Sequence, residues 1–260
     1  MITSLQNNYI KQVASLKSAK GRKKTGLFIV EGIKAIREID TSWQLDSLIY
    51  TENCDGMVKE ELQDFHSKSK RILVGDKVFE YLTDTVTPQG ILAVVHQKEW
   101  DVKDTLNNQS PFLILLDQLQ DPGNLGTIIR TADAAGADGV ILSSNSVDVY
   151  NPKIVRATMG SLFHLPVISK VDIKKTIETL QQYEIGVYAA HLKGASYPYE
   201  VDFKKGTAIL IGNEGKGLDN EIADLSNQYI KLPMPGSAES LNAAVAASIL
   251  TYEVVRQRLK

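Results

Sequence analysis

Polar residues that could do chemistry stand in loops that follow apolar runs, and the first such loop is "DPGNLGTIIR" (121–130). It carries Asn124 and Arg130 at the start of a helix-like stretch. A strand, a glycine turn and a helix start are the usual setting for binding a phosphate through backbone amides. This turn has neither GxGxxG nor a closing glycine-lysine-serine/threonine, so the spacing by itself leaves the roles of Asn124 and Arg130 open.

The two later loops, "GNEGKG" (212–217) and "PMPGSAESLNAAVAAS" (233–248), are also ambiguous as isolated patterns. Glu214 is either a catalytic carboxylate or a charged loop tip, and the glycines fit a turn without a ligand about as well as a nucleotide loop. Ser240 is a candidate helix N-cap, ahead of alanines that allow close helix packing. Asn242 falls in the first turns of that helix, where asparagine is unfavourable, so we expect its side chain to have a backbone or ligand partner.

The elements that would position these loops alternate between apolar runs and helix-like stretches along the whole chain. In the first half, helices are predicted at 6–16, 32–39, 56–68 and 76–83, and strands at 26–30, 45–51, 71–75 and 90–97. In the second half, helices are predicted at 124–135, 151–160, 172–182, 218–226 and 240–259, and strands at 112–117, 139–143, 165–169, 185–192, 207–212 and 229–233. This rhythm predicts a mostly parallel sheet with helices on both faces and ligand loops at the C-terminal ends of the strands.

A polar stretch, "KEWDVKDTLNNQS" (98–110), is the best candidate for a linker between two domains. A chain of 260 residues with 43% hydrophobic content can bury a sizeable core and is long enough for two ordinary domains. We therefore predict a domain of residues 1–106 and a second domain of residues 107–260.

Charge is informative only through its distribution, because the net charge of −2 gives no overall basic field. Basic residues cluster in "KSAKGRKK", namely Lys17, Lys20, Arg22, Lys23 and Lys24. Such a cluster on a neutral chain is either a patch that contacts nucleic-acid phosphates or a solvated basic loop, and charge alone favours neither.

The cysteine and histidine content and the length of the apolar runs argue against a disulfide-bonded, metal-binding or membrane-spanning protein. Cys54 is the single cysteine, so no intrachain disulfide can form, which fits a reducing cytoplasm. With only four scattered histidines beside it, the chain has no metal-ligand cluster, and we predict no metal site. The apolar runs are too short to span a membrane and the N-terminus lacks the apolar core of a signal peptide, so we expect a cytoplasmic protein without a membrane partner.

Together and in this order, the three loops resemble the three motifs of the SpoU (TrmH-type) RNA ribose 2′-O-methyltransferases of the SPOUT superfamily. The resemblance covers about residues 110–260, and it is specific because three separate segments match in order. The N-terminal half, with "SLKSAKGRKKTGLFIVEGIKAIRE", is similar to the small, ribosomal-protein L30e-like RNA-binding domain that precedes the catalytic domain in many members. The resemblance implies an α/β fold whose SPOUT domain contains a trefoil knot, which periodicity alone would have read as a Rossmann-like sheet. It also implies a homodimer with its active site near the subunit interface.

The resemblance implies S-adenosylmethionine as the cofactor and assigns roles to individual residues. Four residues match polar active-site positions: Asn124, Arg130, Glu214 and Asn242. Six match or adjoin cofactor-contacting positions: Gly212, Leu232, Met234, Ser240, Leu241 and Ala190. In the loop "AHLKG" that begins at Ala190 the match is less close, and His191 is expected to be incidental rather than catalytic. RNA contacts are expected from Lys17, Lys20, Arg22, Lys23, Lys24 and Arg156, with a surface salt bridge as the alternative for Arg156.

Arg130 presents a chemical conflict, because the family proposal makes the equivalent arginine the base that activates the ribose hydroxyl. A guanidinium is effectively always protonated. We therefore expect Arg130 to bind the RNA phosphate beside the target ribose and to align the 2′-hydroxyl. Asn124 would orient Arg130 or the ribose, and Glu214 and Asn242 would hold the loops and the hydroxyl in register.

The function that follows is the S-adenosylmethionine-dependent methylation of a ribose 2′-hydroxyl in structured RNA, with 23S ribosomal RNA preferred and DNA excluded. A tRNA substrate and a non-catalytic RNA-binding protein on the same fold are the alternatives. A nicotinamide-dependent oxidoreductase is a further alternative, but the early GxGxxG and the acidic residue about twenty positions on are missing. Neither the RNA molecule nor the nucleotide can be read from the sequence.

Overall fold

The computed structural model describes residues 1–62 and 65–259, which form two compact units. The first unit contains residues 1–98 together with 150–163, and the second contains residues 99–149 and the chain from His164 onward. Residues 150–163 therefore belong to the first unit, although they lie in the second half of the chain. The division of the domains at residue 107 remains a prediction.

The first unit is built on a four-stranded mixed sheet of strand order β1-β4-β2-β3. Its strands are β1 (Leu27–Glu31), β2 (Leu45–Tyr50), β3 (Lys70–Leu73) and β4 (Ile91–His96). β4 pairs antiparallel with both β1 and β2, whereas β2 and β3 are parallel. Its first five helices are α1 (Asn8–Ser15), α2 (Ala19–Thr25), α3 (Ile33–Arg37), α4 (Asp55–Glu61) and α5 (Asp76–Leu82). A core of apolar side chains from α1, α5 and the sheet includes Ile10, Val13, Phe79, Leu92 and Val94.

One alternative and one prediction for the first unit need correction. The basic cluster is not a solvated loop beyond Lys17: its other four residues lie in α2, which Ser18 caps by accepting a hydrogen bond from the Gly21 N–H and which ends at Gly26, where φ is +67°. The helix predicted at 56–68 is α4, which ends at Glu61, and residues 63 and 64 of that prediction lie outside the described residues.

The second unit contains a six-stranded parallel sheet of strand order β10-β8-β9-β5-β6-β7. Its elements in chain order are β5 (Phe112–Leu116), α6 (Pro122–Ala134), β6 (Gly139–Ser143), β7 (Val167–Val171), α8 (Ile173–Gln182), β8 (Gly186–Ala190), β9 (Thr207–Ile211), α9 (Asn220–Ala223), β10 (Gln228–Ile230) and α10 (Ala243–Arg258). The remaining helix, α7 (Pro152–Ala157), packs against β1 in the first unit. The predicted α/β class with a mostly parallel sheet is confirmed.

Central strands of this sheet are apolar along their whole length because helices cover both of its faces. All five residues of β5, β6 and β9 are buried. Since β5, β9, β8 and β10 are mutually parallel neighbours, their C-terminal ends meet at one edge of the sheet. The loops after Leu116, Ala190, Ile211 and Ile230 are therefore brought together at that edge.

Two helices begin at this edge and pack against each other, α6 and α10. The N-cap of α6 is Asp121, whose carboxylate accepts the Asn124 N–H, and Pro122 follows at the first helical position. α10 begins at Ala243 and its N-cap is Asn242, not Ser240 as predicted. Asn242 is therefore favourable where it stands, because it caps the helix instead of lying inside it. None of the helices in the described part of the chain combines the length and the apolar character needed to cross a bilayer.

Candidate active site

The loop after β9, residues 212–218, is a tight turn that leaves no room for larger side chains. The backbones of Asn213 and Gly217 exchange both of their N–H to C=O hydrogen bonds. A Cβ on Gly212 would lie 2.4 Å from the Leu218 nitrogen, and Gly217 adopts φ +70°. Gly212 and Gly217 are thus required by the turn itself, whatever the loop binds, whereas a Cβ on Gly215 would meet only an ordinary contact with Asn213.

Three of the predicted catalytic side chains form one connected chain of hydrogen bonds at this edge. The Asn242 side-chain amide donates to Asn124 Oδ1 over 3.0 Å, and the Asn124 amide donates to Glu214 Oε1 over 3.1 Å. Asn242 Oδ1 also accepts the N–H groups of Ala244 and Val245 at the start of α10. These hydrogen bonds therefore connect the start of α6, the start of α10 and the loop after β9.

Glu214 is an anchor for the turn that precedes α6. Its carboxylate accepts the backbone N–H of Asp121 at 2.9 Å and of Gln120 at 3.1 Å. Burial by itself would raise the pKa of the Glu214 carboxyl, but the hydrogen bonds from Asp121, Asn124 and Gln120 lower it below its usual value. The carboxylate is therefore ionised and a weak proton acceptor, which suits positioning better than general-base catalysis.

Arg130 is not brought to this cluster. Six residues at about 100° each place it about 240° around α6 from Asn124, on the outward face. The residue is exposed, as are Thr127 and Ala134 on the same face. Within residues 1–62 and 65–259, no hydrogen bond or ion pair engages the Arg130 side chain. It is thus free to bind a group that approaches from outside.

A cavity of about 240 Å³ opens beside the polar cluster. Its lining includes all six residues predicted to contact the cofactor: Ala190, Gly212, Leu232, Met234, Ser240 and Leu241. Glu214 belongs to the lining as well, so one residue borders both the cavity and the hydrogen-bonded cluster.

Sequence reasoning missed part of this lining. The small side chains of Ala243 and Ala246 and the buried Leu250 place one side of α10 along the cavity, and Asn213 and Lys216 contribute from the glycine loop. The alanine pattern indicates close helix packing, and small residues at a helix start also leave space for a ligand.

His191 also lines the cavity, although it was expected to be incidental. Its Nδ1 accepts the Lys193 N–H over 3.1 Å, so Nδ1 carries no proton in this conformation. Burial, assisted by the Lys193 charge, lowers the pKa of the imidazole below its usual value. The ring is therefore neutral at physiological pH. That His191 has no catalytic role remains a prediction.

The basic residues of the first unit separate into two kinds. Lys20, Lys23 and Lys24 are exposed on α2. Lys17 is half-buried and pairs with Asp84 over 3.1 Å. Arg22 is only 3% exposed, and its Nη1 donates to the carbonyl oxygens of Leu16 and Lys17. The expected phosphate contact of Arg22 is therefore not available in this structure, because the guanidinium holds the turn before α2.

Arg156 lies in α7 of the first unit, and its Nη1 is 3.9 Å from Glu31 Oε2. Glu31 is mostly buried there and also accepts a hydrogen bond from the Thr83 hydroxyl over 2.5 Å. This contact agrees with the ion-pair alternative for Arg156, while about a third of its side chain stays exposed. An RNA contact by Arg156 remains a prediction.

Comparison with known proteins agrees with this architecture. A model of the SpoU rRNA Methylase family matches residues 111–252, more than half of the chain. The chain belongs to this family. A model of an MRM3-like substrate binding domain matches residues 7–93, ahead of the SpoU region. The predicted family membership is confirmed.

Relatives resemble this SpoU protein along nearly their whole length. The 23S rRNA (guanosine(2553)-2′-O)-methyltransferase of Bacillus subtilis is 34% identical, with 97% of this chain and 98% of the relative covered. The 23S rRNA (uridine(2479)-2′-O)-methyltransferase of Streptomyces viridochromogenes is 33% identical, with coverages of 99% and 92%. The crystal structure of the SpoU methyltransferase AviRb from the same organism, in complex with AdoMet, has a TM-score of 0.90 at 31% identity and coverages of 98% and 99%.

Proposed function

We propose that this protein transfers a methyl group from S-adenosylmethionine to a ribose 2′-hydroxyl of 23S ribosomal RNA. The observation that carries the proposal is the position of Glu214, which borders the cavity and anchors Asn124 through a direct hydrogen bond. The proposed cofactor site therefore lies directly beside the polar cluster that would bind the second reactant. The curated relatives above carry the same reaction in their names.

The cavity suits an adenosine-containing sulfonium. Leu232, Leu241 and Leu250 supply apolar surface, and the backbone of the loop from Gly212 to Gly217 supplies polar groups. Gly212 has no space for a Cβ because the backbone of Gly217 and Leu218 packs against it, which keeps the loop that lines the cavity closed. When bound, the cofactor supplies an electrophilic methyl group attached to a sulfonium. The predicted set Ala190, Gly212, Leu232, Met234, Ser240 and Leu241 would hold it.

The polar cluster positions the other reactant. Asn124 has both ends of its side-chain amide engaged, with Glu214 and with Asn242, so its orientation is set before RNA binds. Arg130 would bind the phosphate beside the target ribose through its planar guanidinium. DNA lacks the 2′-hydroxyl, which makes RNA the required substrate.

A homodimer would bring Arg130 to an active site. Val245, Ile249 and Tyr252 form an outward apolar stripe on α10, with 46%, 45% and 52% of their surfaces exposed. α10 packs beside α6, whose outward face carries Arg130. A two-fold contact that buries the stripe would let Arg130 of one subunit approach the polar cluster of the other subunit.

The chain path supports a trefoil knot, which we also propose. After the edge strand β10, residues 231–242 return across the C-terminal ends of β8 and β9 to reach α10. Their residues Leu232, Met234 and Leu241 share the cavity with the loop from Gly212 to Gly217. The helix then packs on α6 and β9, near the middle of the sheet.

The first unit would hold the RNA. Lys20, Lys23 and Lys24 present exposed charge on α2, within the region that matches a substrate binding domain. They would bind phosphates and add affinity without reading sequence. The single cysteine and an RNA substrate agree with a cytoplasmic location, which stays part of this proposal.

Methyl transfer from tritium-labelled S-adenosylmethionine to 23S ribosomal RNA tests the proposal. We expect the wild-type protein to label this RNA and to leave a matched DNA unlabelled. The Arg130→Ala variant should retain cofactor binding by calorimetry, while its transfer rate falls by about 10²-fold because the ribose is no longer aligned. Near-normal turnover by this variant would overturn the role of Arg130. Absence of cofactor binding by the wild-type protein would leave the non-catalytic RNA-binding alternative.

A further inference from the structure

The strand β5 ends in a turn, residues 117–121, whose backbone has an unusual conformation. Gln118 adopts φ +56°, a left-handed conformation that glycine favours and glutamine does not. Its N–H donates to Ser143 Oγ over 2.8 Å, so one side of the peptide is held by β6. The turn decides where the N–H groups of Gln120 and Asp121 point, and both donate to Glu214.

The other side of this turn is held by the side chain of Asn213, a residue of the loop that lines the cavity. Asn213 Nδ2 donates to the Gln118 carbonyl oxygen over 2.8 Å. Asn213 Oδ1 accepts the N–H groups of Gly215 and Lys216, each at 3.0 Å. One side chain therefore uses its oxygen to close the loop that lines the cavity and its nitrogen to hold the turn before α6.

Asn213 and Glu214 are consecutive, and they contact the same turn at its two ends. Asn213 holds the carbonyl of Gln118, and Glu214 holds the N–H groups of Gln120 and Asp121. The position of the turn relative to the cofactor loop is thus determined at both ends. Asn124 follows directly, because its backbone N–H is bonded to the Asp121 carboxylate.

We propose that Asn213 is a positioning residue that couples the cofactor loop, residues 212–218, to the polar cluster that aligns the ribose. A cofactor bound against this loop would restrict the motion of Asn213. Through the hydrogen bond to Gln118, it would also restrict the turn and Asn124. The inference rests on the proposed function, since it assumes that the cavity binds S-adenosylmethionine. In this proposal the side-chain nitrogen of Asn213 contacts neither reactant. It acts through its hydrogen bond to the Gln118 carbonyl oxygen.

The Asn213→Asp variant separates the two ends of the side chain. A carboxylate keeps the oxygen that accepts from Gly215 and Lys216, so the cofactor loop should stay closed. It loses the N–H donor and places an oxygen against the Gln118 carbonyl oxygen, so the turn should be released. We expect the dissociation constant for S-adenosylmethionine to change by less than threefold while kcat falls by more than tenfold. The Asn213→Ala variant loses both ends, so both quantities should worsen by more than tenfold.

A matched control is Asn227→Asp in the same unit. Asn227 Oδ1 accepts the Val187 N–H over 2.7 Å, a bond that a carboxylate also makes. Asn227 does not line the cavity and makes no hydrogen bond to the cluster in the part of the chain that the structure describes. Its cofactor affinity and its kcat should match those of the wild-type protein.

Hydrogen exchange tests the coupling without RNA. In the wild-type protein, S-adenosylmethionine should slow exchange of the Gln120 and Asp121 amides, although they belong to the other loop. In Asn213→Asp this protection should disappear while calorimetry still detects bound cofactor. Equal protection in both proteins, or parallel losses of affinity and kcat in Asn213→Asp, would overturn the inference. Protection by cofactor without methyl transfer to RNA would instead overturn the proposed function and leave the coupling intact.

Discussion

Replacement of Glu214 by glutamine should weaken both the fold around the site and methyl transfer. The carboxylate accepts hydrogen bonds from Asp121, Gln120 and Asn124. Glutamine keeps one acceptor oxygen but introduces an NH₂ group that cannot accept, and it removes the negative charge at the start of α6. The change is nearly isosteric, so its effect reports on charge and hydrogen bonding and not on packing.

The size of the effect follows from these three donors. Hydrogen bonds to a charged acceptor are roughly twice as strong as neutral ones, and each neutral bond contributes about 1 kcal/mol. Glu214 is an exposed residue, so solvent screening reduces the gain. We expect the free energy of unfolding to fall by about 1 to 2 kcal/mol, or a thermal midpoint lower by about 2 to 8 °C. Misplacement of Asn124 should slow methyl transfer by about 10- to 100-fold.

The difference in stability should depend on pH with a defined sign. Because the folded-state pKa of Glu214 is lowered, its contribution is fully present above the pKa of the unfolded carboxyl, about 4.3. The contribution is lost as the pH falls through the lower, folded-state pKa. The stability gap between wild type and Glu214→Gln should therefore be constant from about pH 6 to 8 and should shrink below about pH 4.3.

Urea unfolding at several pH values, beside single-turnover methyl transfer at pH 7.5, measures both effects. Glu221→Gln is the control, since Glu221 is a carboxylate with 79% of its side chain exposed in a surface pair with Lys174. That control should unfold and turn over like the wild-type protein. If Glu214→Gln kept wild-type stability and turnover, or if the gap did not shrink in acid, the anchoring role of the ionised carboxylate would be refuted.

Two further predictions concern the proposed dimer and the RNA contact. Ile249→Asp places a charge in the apolar stripe of α10, so sedimentation should show monomers and methyl transfer should be lost with it; a monomeric wild-type protein, or a dimeric variant, would contradict the interface. Joint replacement of Lys20, Lys23 and Lys24 by alanine should weaken RNA binding and flatten its salt dependence, with unchanged unfolding. Arg22→Ala should instead cost about 2 to 4 kcal/mol of stability, because it leaves buried carbonyl groups without a donor. Equal effects on RNA affinity from the lysine and Arg22 variants would show that the burial of Arg22 has been misjudged.

Secondary structure in the second unit could be predicted from the sequence because its central strands are short apolar runs bounded by turn residues. β5, β6 and β9 are buried on both faces, and their runs stand out without alternation. The strands of the first unit were predicted as closely, but its mixed strand directions depend on which strands pair, and periodicity does not give that. The charge of the basic segment does not predict α2, whose start is indicated instead by Ser18 as its N-cap.

The resemblance pointed to residues that the structure brings together, but it did not give their contacts. All six predicted cofactor residues line one cavity, and Asn124, Glu214 and Asn242 share one set of hydrogen bonds. Charge alone could not tell the buried Arg22 from its exposed neighbours, since burial depends on how α1 and α2 pack. The six-residue spacing separates Arg130 from Asn124 around α6, but the motif could not show that the face with Arg130 is the exposed one.

The sequence by itself determined the parallel α/β class, the three loops and their family, because these depend on local composition and order along the chain. Only the tertiary structure decided which polar groups meet: Asn124 lies 90 residues from Glu214 and 118 residues from Asn242 along the chain. Strand order brings them within hydrogen-bonding distance by placing β5 beside β9, with α10 packed on α6. The same packing engages both ends of the Asn124 amide and leaves the face of α6 that carries Arg130 exposed, and neither result can be read from a linear motif.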